Sequence, residues 1–137
     1  MFALDTNTIS YYFRGTACVV SRMQSMPPAL LTVPSVVAYE LRYGLMRLPP
    51  EAAKPRLEAL AQLLGALRVL EFDDACAQAA AVLRAQLEAR GMPIGPHEVL
   101  IAATALRHGA ALVTRDISEF SRVQGLQVVN WHDDTPA

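Results

Sequence analysis

Five short apolar runs, at residues 2–4, 30–33, 69–72, 111–113 and 126–129, are separated by longer stretches whose apolar residues recur at helical spacing. That alternation constrains the fold more than any other feature of the chain. Runs this short are strands, and the intervening stretches are too long for hairpin turns. Parallel strands need crossover connections, and right-handed helical crossovers supply them. An α/β domain follows, with a mostly parallel sheet covered by helices on both faces.

The intervening stretches read as helices with recognisable limits. Thr6 to Thr8 offer N-cap chemistry for a helix through Ile9, Tyr12 and Phe13. A second short helix over 18–26 stops at Pro27 and Pro28. Pro34 and Ser35 open a third, which carries Val36, Val37, Glu40, Leu41 and Gly44 as far as Pro49 and Pro50. Leu57, Leu60, Ala61 and Leu64 define the next, over 51–67. Asp73 and Asp74 start a helix that ends at Gly91, residues 92–96 read as a loop, and a strongly apolar helix over 99–108 closes at Gly109. In open sheets of this kind a ligand binds beyond the carboxyl ends of the strands, where Asp5 and Asp116 both fall.

With 137 residues the chain matches one domain, over 1–137. Cys18 and Cys76 have neither metal-binding spacing nor a disulfide framework, so both are read as reduced core thiols, which points to the cytoplasm. No cleavable export signal is apparent, because Asp5 and Asn7 interrupt the N-terminus, and the apolar runs are too short to cross a bilayer. No membrane association is expected. The net charge of -1 argues against a basic surface that coats nucleic acid.

Four carboxylates stand where chemistry is expected, and each also has a plain structural reading. Asp5 could be a turn or helix-cap residue. Glu40 lies among Val37, Leu41 and Gly44 on the apolar side of its helix, where an unpaired acid is costly. Glu98, in a first helical turn, would complement the helix dipole. Asp116 could cap a turn over 117–120, with Glu119 as its rival for any site role. Clustered carboxylates repel one another and call for a cation; an all-oxygen set suits Mg²⁺, with Mn²⁺ as the alternative. His97 adjoins this region, but none of His97, His108 and His132 shows a catalytic pattern, and Trp131 reads as packing on the sheet edge.

Four segments carry a family resemblance in the right order: Leu4-Asp5-Thr6-Asn7, Tyr39-Glu40-Leu41-Arg42-Tyr43-Gly44, Ile94-Gly95-Pro96-His97-Glu98-Val99-Leu100-Ile101-Ala102-Ala103, and Leu112-Val113-Thr114-Arg115-Asp116. Over nearly its whole length the chain resembles PIN-domain ribonucleases, especially the toxins of VapBC-type toxin–antitoxin pairs. The resemblance implies a three-layer α/β/α sandwich with four or five short strands. It implies that Asp5, Glu40, Glu98 and Asp116 are both catalytic and metal-binding, with Thr6, Asn7 and Thr114 behind them. Arg42 and Arg115, each beside a proposed ligand, are the RNA-contact candidates. It further implies metal-activated hydrolysis of RNA, a small antitoxin whose tail occupies the acidic groove, and a homodimer with contacts near Tyr11, Tyr12 and Leu45.

Setting these four aside, the 13 acids fall to 9 against 12 bases, so an acidic pocket within a mildly basic rim fits the charge count. One departure from the family pattern is Glu98, where aspartate is usual. An alternative reading is therefore a catalytically weakened PIN-like module that binds RNA or protein. A phosphoryl-transfer domain is excluded, since Thr6-Asn7 supplies no second aspartate, no Gly-rich phosphate loop is present, and the one lysine, Lys54, lies in a helical stretch.

Overall fold

Every neighbouring strand pair is parallel in the computed structural model, which describes residues 1–132. The strands are β1 (Phe2–Leu4), β2 (Leu31–Pro34), β3 (Arg68–Leu70), β4 (Ala111–Val113) and β5 (Val128–Val129), in the order β3-β2-β1-β4-β5. The three middle strands are almost wholly buried; every residue of β2 and β4 is buried, on both faces of the sheet. That burial requires helices on both sides, so the expected three-layer architecture stands. The edge strands β3 and β5 are more exposed, as edges are.

Among the described residues seven α-helices connect the strands: α1 (Thr6–Phe13), α2 (Ala17–Gln24), α3 (Ser35–Met46), α4 (Pro50–Ala66), α5 (Asp74–Ala89), α6 (Pro96–His108) and α7 (Ile117–Phe120). Helix α6 carries the fully buried Ala102, Ala103 and Ala105, whose small side chains let it lie close against its neighbours. The buried Thr104 satisfies its hydroxyl by donating to the Leu100 carbonyl at 2.7 Å. Gly109 ends α6 at φ +68°, a left-handed conformation that glycine adopts without strain. Trp131 is a buried packing residue, but it meets Phe2 of the central strand β1, with ring centroids 5.2 Å apart, where edge packing was expected.

Several boundaries differ from the sequence reading. Asp5, not Thr6 to Thr8, is the N-cap of α1, because its carboxylate accepts from the Thr6 N–H. Pro28–Leu30 forms a 3₁₀ turn, so β2 starts one residue later and runs directly into α3 through Pro34. Strand β3 starts earlier and ends at Leu70, because Asp73 caps α5 by accepting from the Cys76 N–H at 2.9 Å. Pro96 begins α6, which draws Glu98 inside the first turn, and residues 117–120 form a single helical turn. The last five residues of the expected 1–137 domain lie outside the described part.

The strand order places a topological switch between β1 and β4, since the chain proceeds from β1 outward through β2 and β3, then returns to the other side of β1. Such a switch leaves a crevice at the carboxyl ends of the two strands. The Asp5 N–H continues the pairing by donating to the Val113 carbonyl at 2.9 Å, and the Thr114 N–H donates to the Val129 carbonyl at 2.9 Å. The backbone is thus held in sheet geometry up to the residues that face the crevice.

Candidate active site

Four separate elements bring the acids together. Asp5 leaves the end of β1, Asp116 follows β4, Glu40 stands in the middle of α3, and Glu98 in the first turn of α6. All four line one cleft of about 410 Å³ together with Thr6, Asn7, Ser10, Tyr11 and Arg14. Glu119 is not among the lining residues: its Oε1 accepts from the Gly95 N–H at 2.9 Å and ties α7 to the start of α6. Asp116 is the acid that faces the cleft.

Asp5 is the most constrained of the four. Only 5% of it is exposed. Its Oδ1 accepts from the Thr6 N–H at 2.8 Å, and its Oδ2 accepts from the Thr114 hydroxyl at 2.7 Å. Burial pushes its carboxyl up to about 6, against the lowering effect of the two hydrogen bonds and with help from the negative charges of Asp116 and Glu40. A buried acid kept under repulsion in this way is poised to receive positive charge.

The residues expected behind the acids are all in contact with them. The Thr6 hydroxyl donates to Glu40 Oε1 at 3.0 Å. The Asn7 amide donates to Asp116 Oδ2 at 3.2 Å and to Asp5 Oδ2 at 3.5 Å, while its carbonyl accepts from the Arg115 N–H at 3.2 Å. The Thr114 hydroxyl, besides serving Asp5, accepts from the Asp116 N–H at 3.0 Å. Asn7 and Thr114 therefore lock the carboxyl ends of β1 and β4 into one unit.

Glu98 is folded back over the start of its own helix. A Cβ built on Gly95 would lie 1.9 Å from Glu98 Oε2, so glycine at this position leaves the space in which the carboxylate rests. Folding back shortens the reach of the longer side chain. Glu98 still lines the cleft with the other three acids.

Some contributors were not legible as site residues. His97 approaches Glu40, with Nδ1 3.4 Å from Oε2, and its ring meets that of Tyr39 edge-on. Tyr11, Ser10 and Arg14 also line the cleft. Their signal lay in helical period, since Asn7, Ser10, Tyr11 and Arg14 fall on one face of α1 and its C-cap. Arg115 is exposed at the rim, where it donates to the Tyr11 hydroxyl. Arg42 is exposed on α3 but does not line the cleft, because two residues along a helix point in different directions from Glu40.

As a donor set these groups suit a hard divalent cation, since carboxylate and hydroxyl oxygens surround the cleft and, among the described residues, no thiol or histidine cluster competes. Among the described residues, no three His, Cys, Asp or Glu side chains are arranged to close on an ion as they stand. Glu40 is held by Thr6 and His97, and Glu98 by its fold over Gly95, so an ion would have to draw these two inward. The fit lies in donor chemistry and in the strained charge of Asp5.

A family model described as the PIN domain matches residues 2–126. The chain belongs to the PIN-domain family. Within it, the chain groups with the VapC-like toxins. The VapC ribonuclease Y4jK of Sinorhizobium fredii is 35% identical over 140 aligned positions, covering 95% of this chain and 96% of that protein. The tRNA(fMet)-specific endonuclease VapC of Salmonella typhimurium is 29% identical over 131 residues, covering 95% of this PIN chain and 97% of the relative. Among solved structures, FitAcB from Neisseria gonorrhoeae superposes with a TM-score of 0.89 at 31% identity, over 97% of this chain and all of that one. VapBC2 from Rickettsia felis, bound to a DNA fragment from its promoter, superposes with a TM-score of 0.87 at 28% identity, over 95% and 98% of the two chains.

Proposed function

We propose that this VapC-like chain is a toxin endoribonuclease, restrained by a cognate antitoxin, that hydrolyses RNA with a carboxylate-held Mg²⁺ or Mn²⁺. The observation that carries this reading is the cleft at the sheet's switch point, into which four acids from four distant segments are gathered. A stable fold does not need four acids collected at one end of its sheet, since their repulsion is a cost. The names of the VapC relatives support the ribonuclease activity, and the VapBC complexes support an antitoxin partner.

Asp5, Glu40, Glu98 and Asp116 would hold the ion, which when bound lowers the pKa of water and neutralises charge on the attacked phosphate. The surrounding side chains fix its holders. Thr114 and the Thr6 N–H orient the Asp5 carboxylate, Thr6 and His97 orient Glu40, and Asn7 orients Asp116. No histidine is required as a base. Arg115 at the rim would meet the RNA backbone, whereas Arg42 would contact RNA only outside the cleft.

Beside the acidic cleft lies a groove of about 650 Å³ between α1, α3 and α4, which shares Thr6, Ser10, Arg14 and Glu40 with it and adds Phe13, Leu41, Leu45 and Leu60. A mostly apolar channel that opens into an acidic site suits an antitoxin segment with apolar anchors and a cationic end. Self-association is also proposed. Tyr11, Tyr12 and Leu45 are half-buried against the core, while Tyr39, Tyr43 and Met46 stand exposed along one face of α3, which makes that outer face of α3 the better dimer surface. A cytoplasmic location accords with this assembly and with two free cysteines.

A second reading has its own support. Because Glu98 is longer than the usual aspartate and rests over Gly95, the chain could be a weakened PIN module that binds without cutting. RNA cleavage with Mg²⁺ or Mn²⁺ by the native chain, Glu98→Asp and Asp5→Asn separates the two. The nuclease reading expects cleavage by the first two and loss in the third; three indistinguishable traces defeat it.

A further inference from the structure

An acidic cleft repels a polyanion, so RNA cleaved there needs a point of attraction beside it. Tyr11 gathers two arginines, Arg14 on the cleft wall and Arg115 at its rim. The guanidinium carbons of Arg14 and Arg115 each lie 5.4 Å from the centroid of its ring, and Arg115 also donates to its hydroxyl. The same ring forms a T-shaped pair with His132, with centroids 4.6 Å apart at 83°.

Both arginines stand next to the acids yet pair with none. Among the described residues the ion pairs are Arg84 with Glu88 and His97 with Glu40, and neither Arg14 nor Arg115 belongs to one. Arg115 sits between Thr114 and Asp116, with its N–H anchored on Asn7, and Arg14 is the C-cap residue of α1. A guanidinium held over an aromatic face keeps its charge and its outward N–H donors while losing conformational freedom. Two such groups on one ring form a preorganised anion receptor. A structural role would instead have matched them to the carboxylates at hand.

We infer that Tyr11, Arg14 and Arg115 form a phosphate clamp that receives the RNA backbone beside the scissile phosphate. The clamp rests on the nuclease reading for its purpose, but its binding chemistry can be tested without cleavage. Tyr11 acts as the positioning residue and the two arginines as the contacts. The clamp is sequence-independent, because it reads phosphate and not base edges.

The test is binding of a labelled single-stranded RNA oligonucleotide to the full chain by fluorescence anisotropy in EDTA, across a range of NaCl. Arg14→Ala with Arg115→Ala should weaken binding by about tenfold or more, as expected for lost charge-assisted hydrogen bonds. The slope of log affinity against log salt should flatten by about 1.4, for two phosphate contacts on a single strand. The paired Arg→Lys variant should retain the native slope with part of the affinity. Tyr11→Phe, which keeps the ring and drops the hydroxyl, should lose less than Tyr11→Ala. An unchanged salt slope in the double alanine variant, or no binding by the native chain, overturns the clamp. Cleavage assayed separately in Mg²⁺ tells the two ideas apart: a clamp that binds on a chain that never cuts removes the nuclease reading alone.

Discussion

Asp5 carries the largest electrostatic burden of any residue in the site. With its carboxyl raised from 3.8 to about 6, the folded protein holds that proton more tightly than the unfolded chain does. Its stabilising share is therefore complete below about pH 3.8 and is lost as pH rises through 6. In metal-free buffer Asp5→Asn should stabilise the protein by about 2–3 kcal/mol at pH 7, the equivalent of a shift of this size, and be nearly neutral at pH 3.5. Urea denaturation at both pH values checks this; equal effects at the two would contradict it. The sequence placed Asp5 at a strand end, but its burial and its Thr114 partner depend on β4, which is distant in the chain. Glu40 was legible because an acid on an apolar helix face is conspicuous. Tyr11 and Arg14 were not, since an aromatic and a basic residue near a helix end have many commoner explanations.

At the scale of elements, the start of α6 is where local geometry meets the site. Gly95→Ala would put a methyl group where Glu98 Oε2 now rests. The displaced group is the far end of a flexible side chain, so the fold should lose less than about 1 kcal/mol, while the carboxylate must leave its folded-back position. Because an ion has to draw Glu98 off Gly95, the expected outcome is a lower Mg²⁺ requirement for RNA cleavage with little change in melting temperature; a large loss of stability with unchanged metal dependence would argue against it. Helix α4 offers a contrast without functional content. Pro55 lies inside it, exposed, and removes one helical hydrogen bond. Pro55→Ala should raise stability by about 1–2 kcal/mol in denaturant titration and leave cleavage unaltered. Helix and strand periods revealed all five strands and six of the helices. What they could not resolve was the junctions, where capping by Asp5 and Asp73 and the 3₁₀ turn before β2 shifted boundaries by a few residues.

For the whole molecule, the parallel order β3-β2-β1-β4-β5 turns dispersed sequence positions into a site, because the switch between β1 and β4 leaves a crevice at their carboxyl ends. Alternation of short strands with helices made the layers legible, whereas strand order followed from tertiary pairing that no local pattern encodes. Among the described residues no helix is long and apolar enough to cross a membrane. Whether the gathered acids hold a divalent ion for RNA cleavage is decided by assaying native chain and Asp5→Asn side by side, with and without Mg²⁺ or Mn²⁺. The native chain should cleave only with metal. Asp5→Asn should fall beyond the roughly 10- to 100-fold typical of losing a group behind a metal ligand. Cleavage that persists in EDTA, or equal rates for the two proteins, would contradict metal-dependent cleavage by these acids.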